Sequence, residues 1–403
     1  MRELAATWMR GGTSKCWVFD RADLDNLGLD PAAVLLRAFG SPDPRQVDGV
    51  GGATSTTSKA VILAPAGTED ADVDYTFAQV GIDEPVVDWG SNCGNCSAVA
   101  GLYALRRRWV QPTGELTTVR VRNTNTGQLI VQQVPTPGGV VEEDGTEHIP
   151  GVPFPGVGVR MWFRDPAGRT TGSLLPTGSP REELAFDGRL VPATLIDAGA
   201  PVVVLDAATV GLAGSESPAE ITARAGLLAA LDGVRRQAAV RMGLAVDEVS
   251  AERAVPKLAV VGPAPTTGEA DLTVRMLSMG QVHPALAITG SVALTMAAAT
   301  PGTLVADRVV AAIAGRLRLA TPSGVVATHT GEMDGAPAVA VTRTARRIAD
   351  AVLALPDDAL PLRGPASRRN SFPAASSRAD GRAWSAWVEP ALPAAPVQTE
   401  VHR

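Results

Sequence analysis

The residues best able to do chemistry cluster in Asn92-Cys93-Gly94-Asn95-Cys96. A strand-like run, residues 85–89, leads into this stretch, and an apolar helical pattern follows it to about residue 108. Cys93 therefore falls on a turn that opens a helix. Unpaired backbone N–H groups there favour a thiolate and bind carboxylates. Cys96 lies one turn into the helix and reads as a small packed residue. The Cys-x-x-Cys spacing also invites redox or zinc chemistry. The redox form Trp-Cys-Gly-Pro-Cys is missing, and the chain is not one small thioredoxin domain. Zinc needs two further ligands; there are only four histidines, at 148, 283, 329 and 402, and no second Cys pair.

Two loops bring basic groups. Residues 49–58 are small and polar and run into a strand-like stretch that begins at Lys59, with Thr57 and Ser58 just before it. A lysine at such a junction is most often a solvated charge; a buried one can serve as a base in its neutral form. Earlier, Met9-Arg10-Gly11-Gly12-Thr13-Ser14-Lys15 resembles a phosphate loop. It lacks the P-loop spacing, and a strand-like run follows where a helix should. The alternatives are a loop that lays backbone N–H groups, Arg10 and Lys15 against a carboxylate, or a Gly-rich hairpin.

The elements that must position these groups repeat. Residues 31–39 read as a helix capped by Asp30 with Pro31 at its first position. Strands are expected at 3–8, 75–80, 191–197, 202–205, 258–261, 272–277, 325–329 and 338–342, with a hairpin of 119–123 and 129–133 around Asn125. Helices are expected at 218–243 and 344–352. A second strand–turn–helix starts near Met279 and passes through His283 to Thr289-Gly290-Ser291. Its helix is apolar all round, as is the one after Cys93, so both should be buried at domain centres. The pattern suggests a duplicated fold, with domains at 1–183 and 184–355 and a Pro/Ala/Ser-rich tail at 356–403 carrying Trp384 and Trp387.

Composition narrows the class. A chain of 403 residues, 45% hydrophobic and 19% charged, can build two cores, and 41 Gly with 31 Pro imply many turns. A net charge of −6 argues against a nucleic-acid surface. No apolar run is long enough for a membrane span, the first ten residues lack a signal-peptide core, and three cysteines do not make a disulfide framework. A cytoplasmic protein is expected.

Taken together, Met9 to Lys15, Thr57-Ser58-Lys59, Asn92-Cys93-Gly94-Asn95, Leu174-Leu175-Pro176-Thr177-Gly178, the run from Met276 to His283 with Thr289-Gly290, and Arg343-Thr344-Ala345-Arg346-Arg347 resemble the PrpF family in its order. The resemblance covers about residues 5–355. It implies an α/β (α+β) fold of the diaminopimelate-epimerase kind: two pseudo-symmetric domains, each a curved mixed sheet around a central helix, with the site in the cleft between. It also implies cofactor-free movement of a double bond, or a change in its geometry, in unsaturated di- and tricarboxylates such as aconitate, 2-methylaconitate, methylitaconate and oxalomesaconate.

The family's catalytic Lys and Cys fall on Lys59 and Cys93. The motifs also mark Arg10, Gly12, Thr13, Ser14, Lys15, Ser58, Asn92, Gly94, Asn95, Asn125, His283, Thr289, Gly290 and Ser291 as substrate-binding candidates, with no metal. In related epimerases a second thiol opens the second central helix; Thr289-Gly290-Ser291 has none, which favours a Lys/Cys acid–base pair over a two-thiol racemase. Cys16, Gly101-Leu102-Tyr103 and His329-Thr330-Gly331 depart from the family's usual residues and point to an unsaturated acid of this chain's own. Expected partners are a small anionic unsaturated carboxylic acid and, as a candidate assembly, a homodimer, with no nucleic acid and no membrane. The alternatives are a non-catalytic binding or accessory protein on the same fold, and an amino or hydroxy acid racemase or epimerase.

Overall fold

The structure, a computed structural model, describes residues 1–90, 92–309 and 315–356; the expected tail, with Trp384 and Trp387, lies outside the described residues. The first half contains β1 (Arg2–Gly11), β2 (Ser14–Asp20), α1 (Arg21–Asn26), α2 (Pro31–Phe39), β3 (Lys59–Pro65), β4 (Val73–Val80), β5 (Val87–Asp88), α3 (Gly94–Ser97), α4 (Val99–Arg106), β6 (Leu116–Asn123), β7 (Leu129–Pro135) and β8 (Val157–Arg164). The second contains β9 (Glu182–Phe186), β10 (Arg189–Ala198), β11 (Ala200–Asp206), α5 (Pro218–Ala223), α6 (Leu227–Arg241), β12 (Lys257–Gly262), β13 (Leu272–Ser278), β14 (Gln281–Val282), α7 (Ile288–Ala298), β15 (Arg316–Thr321), β16 (Gly324–Met333) and β17 (Ala336–Leu355).

The two halves repeat one strand order. In the first, β2 runs parallel to β3, β3 antiparallel to β4, β4 antiparallel to β5 and parallel to β6, and β6 and β7 continue antiparallel. In the second, β11, β12, β13, β14, β15 and β16 make the same pairings in the same sense. Each sheet wraps one central helix, inserted between its short fourth strand and the strand that follows. Val99, Leu102 and Leu105 of α4 and Val292, Leu294 and Ala297 of α7 are at most 2% exposed and share one core. Each large side chain so buried contributes about 1.5–3 kcal/mol before ordering costs. The outer faces carry separate cores, one under α1 and α2, the other under α5 and α6.

Local signals explain most boundaries. Asp30 accepts a hydrogen bond from the Ala33 N–H, Pro31 opens α2, and Gly40 ends it in the left-handed region at φ 73°. The helix expected over 218–243 is two, α5 and α6, because Gly226 turns the chain at φ 75°.

Residues 344–352, expected as a helix, belong to β17. Their Ala and Arg content favours a helix, but β1 offers a full partner edge, with Arg2 opposite Leu355 and Gly11 opposite Ala345. Pairing along ten residues overrides a propensity of a few tenths of a kcal/mol each, about what the helix scales allow. β17 also pairs with β16 and β8, so one strand joins both halves. The expected boundary at 183 falls within β9, which pairs with β10.

Candidate active site

Each half brings a helix start to the cleft, and the two starts nearly touch. Cys93 caps α3 and accepts from the Cys96 N–H at 3.4 Å. Across from it, α7 opens at Ala287 with no side-chain cap, which leaves its first N–H groups to the cleft. A Cβ on Gly94 would sit 3.0 Å from the Ile288 Cβ and 3.2 Å from the Thr289 N, so a side chain there would push the two starts apart by a few tenths of an ångström. The Asn95 amide donates to the Leu286 carbonyl at 3.0 Å and ties the two starts together, while its oxygen accepts from the Thr13 N–H at 3.4 Å. Gly12, at φ 53°, lets the β1–β2 turn close over the Asn95 side chain.

Between these starts lies a small pocket of about 30 Å³ that includes Ser14, Lys59, Asn92, Cys93, Thr289 and His283 in its wall. Lys59 is the first residue of β3 and 8% exposed. Its Nζ donates to Gln79 Oε1 at 2.7 Å and lies 4.9 Å from the centre of the Phe77 ring. Gln79 is opposite Lys59 in the β3–β4 ladder and is held in turn by donation to the Ser58 carbonyl at 2.8 Å. Tyr75 donates to the Cys93 carbonyl at 3.1 Å and steadies the turn.

Among the described residues, the buried side-chain oxygens of Ser14 and Thr289, and both amide atoms of Asn92, have no hydrogen-bond partner. Leaving a buried polar atom unpaired costs about 1–3 kcal/mol, so four such atoms around one pocket fit a polar ligand.

Cys93 is a thiol here, not the thiolate expected of a helix start. The hydrogen bond its proton makes to Cys96, with burial, pushes its pKa well above the usual thiol value. The Cys96 N–H at the helix start pulls the other way but is outweighed. His283 is neutral: burial first, then the charges of Lys59, Lys257 and Arg343, lower it to about 3. Its Nδ1 accepts from the Ala285 N–H at 3.0 Å, which puts the proton on Nε2 as a donor. Asp88 is raised by burial.

Several candidates sit elsewhere. Arg10 donates to the Thr344 hydroxyl at 2.6 Å and to the Pro155 carbonyl at 3.3 Å, bracing strands. Lys15 lies over the Trp8 ring at 4.5 Å. Ser58 donates to the Val80 carbonyl at 2.9 Å and accepts from Gln46 at 2.8 Å. Asn125 donates to the Phe77 and Trp89 carbonyls at 2.9 and 2.7 Å, so it holds the strand that feeds the Cys93 turn rather than the pocket. Gly290 packs against Met276, and Ser291 donates to the Ile288 carbonyl at 2.7 Å inside its own helix. Gly12 and Thr13 shape the turn over Asn95 without lining the pocket.

Sequence reasoning missed Gln79, Phe77, Ser278 and Lys257, all in the pocket wall. Lys257 opens its strand as Lys59 opens β3, and that shared position was the one signal available. Among the described residues no group of three or more His, Cys, Asp or Glu is placed to hold a metal, and no helix is long and apolar enough to cross a membrane.

The model of the PrpF protein family matches residues 1–356. A 2-methyl-aconitate isomerase from Shewanella oneidensis is 40% identical over 329 residues, 75% of this chain and 83% of that protein. The solved structure of a methylitaconate-delta-isomerase is 34% identical and superposes with a TM-score of 0.72 over 92% of this chain and 99% of its own. A hydroxyproline epimerase from Agrobacterium vitis, 13% identical, shares the fold at a TM-score of 0.53 over 89% of this chain and 94% of its own.

Proposed function

The chain belongs to the PrpF family, and from that premise we propose that it is an isomerase that moves a double bond, or changes its geometry, in an unsaturated di- or tricarboxylate. The observation that carries the reading is one pocket holding Lys59, Cys93 and the unpaired polar atoms of Ser14, Asn92 and Thr289. Relatives named for 2-methylaconitate and methylitaconate supply the substrate class.

In the proposed reaction, Ser14, Asn92, Thr289, the His283 Nε2–H and the free N–H groups of α7 hold the carboxylates. Lys59 is the base that takes a proton from the allylic carbon. The electron pair moves into the conjugated carboxylate, where fixed donors stabilise it. The Cys93 thiol then gives its proton to the carbon two positions away. Proton return from the Lys59 ammonium to the Cys93 sulfur resets the site. The direction of the thiol's pKa supports this division of roles, since a group held protonated can act as the acid. We take the reducing cytosol as its working place, in keeping with three free cysteines.

The test is deuterium uptake from D₂O, followed by NMR, with 2-methylaconitate, methylitaconate and trans-aconitate. Label should enter both ends of the allylic unit. Absence of exchange across such a panel overturns the reading. Exchange at the Cα of a chiral amino or hydroxy acid would favour a racemase instead, against which stands Ser291, turned into its own helix.

A further inference from the structure

Lys257 is the first residue of β12, and β12 stands in the second half where β3 stands in the first. Both strands run parallel to their predecessor and antiparallel to their successor. The pair Leu258–Leu277 puts Lys257 beside Ser278, as Lys59 stands opposite Gln79. The duplication thus delivers two lysines to one pocket, one from each half. Their surroundings differ. Gln79 and Phe77 hold the Lys59 ammonium. Lys257 is 4% exposed, and among the described residues it has no ion pair or hydrogen bond from its side chain.

Among the described residues no group facing Lys257 makes a direct ion pair with it. From α3 it meets Cys93, a thiol; from β3, Lys59, a like charge; from β5, Asp88, whose carboxyl is itself pushed up by burial and by Glu252 behind it. His283, beyond β14, is neutral. A buried ammonium with no hydrogen-bonded counter-charge is costly, and an anion entering the pocket lowers that cost.

We propose that Lys257 is a substrate-binding residue, the ammonium that holds one carboxylate of the acid in the pocket that Lys59 also lines. This rests on the isomerase reading and narrows it: the substrate must present a carboxylate to the second half while its allylic carbon meets Lys59 and Cys93. Charge at that carboxylate grows as the carbanion forms, so Lys257 stabilises the transition state as well as the complex.

A pH signature accompanies this role. Burial lowers Lys257 to about 8, so the free enzyme loses this charge above that pH, and bound carboxylate restores it. The value of kcat/KM should fall as pH rises past about 8, and a Lys257→Arg enzyme, always charged, should keep its value to higher pH.

The experiment compares wild type, Lys257→Met and Lys257→Arg. It measures tricarballylate binding by calorimetry, since that saturated tricarboxylate has no double bond to move, and isomerisation kinetics with the panel acids. Lys257→Met should bind tricarballylate about 100-fold more weakly and raise KM by a similar factor, the usual scale for removing one partner of a buried charge pair. Lys257→Arg should bind within about tenfold of wild type and lose the alkaline fall. Unchanged tricarballylate affinity in a folded Lys257→Met enzyme overturns the proposal. Should that variant not fold, Lys257→Arg decides: an unaltered alkaline fall overturns the proposal and its loss supports it. Wild type that converts panel acids with a KM indifferent to residue 257 sinks the role of Lys257 and leaves the isomerase reading intact. Lys257-dependent tricarballylate binding with no turnover does the reverse, and no binding of any of these acids overturns both.

Discussion

The two helix starts that meet in the cleft occupy equivalent places in a repeated strand order, yet they are built differently. The first begins Asn92-Cys93-Gly94-Asn95, with a sulfur cap and two amides; the second begins Ala287-Ile288-Thr289, uncapped and mostly apolar. The first can exchange a proton, whereas the second can only hold a charge, through N–H groups and one hydroxyl. Duplication therefore supplied symmetric positions, and chemistry was placed on one side of them. The strand starts follow a similar division. Lys59 is tethered by Gln79, and Lys257 is left for an anion.

The largest effects should come from the reacting side. Cys93→Ala or Lys59→Ala should each lower isomerisation about 1,000-fold, within the range of acid–base groups, with circular dichroism unchanged. Adding Ile288→Cys to the Cys93→Ala enzyme should not restore turnover, because the sulfur would then sit on the holding side; recovery would break the asymmetry. Gln79→Leu removes the Lys59 tether and should lower kcat about 10- to 100-fold through misplacement of the base.

Smaller effects sharpen the same contrast. Iodoacetamide should label Cys93 more slowly at pH 8 than it labels a free cysteine, and the rate should climb with pH, because a raised pKa leaves less thiolate. Peptide mass mapping measures this, and fast labelling at neutral pH would reverse the assigned acid. Ser291→Ala should leave kcat/KM within about threefold and cost about 1 kcal/mol of stability at most, the worth of one intrahelical hydrogen bond. Thermal unfolding with kinetics on the same sample separates the two effects, and a large kinetic loss would return Ser291 to the site.

Much of the fold could be read from the chain because its signals are local. Asp30, Pro31 and Gly40 bound a helix by capping physics alone. The small-residue turns before α3 and α7 showed that two buried helices repeat. Residues 344–352 misled because the edge they pair with lies more than 300 residues away, at β1. Arg10, Lys15, Ser58 and Asn125 share motifs with the pocket but spend their polar atoms on backbone and aromatic neighbours, which no spacing reveals.

By itself the sequence determined the residue types of the reaction, a thiol on a helix-opening turn and a lysine at a strand start, and the repeat that frames them. Tertiary structure decided the rest. Burial and the contact with Cys96 keep Cys93 protonated, as the proposed proton donor must be. Parallel pairing of β11 with β12 carries Lys257, which in sequence is an ordinary lysine before an apolar run, into the wall of the pocket that Lys59 also lines. Both outcomes depend on which distant groups share a low-dielectric space, and that is settled only when the two sheets close around one cleft.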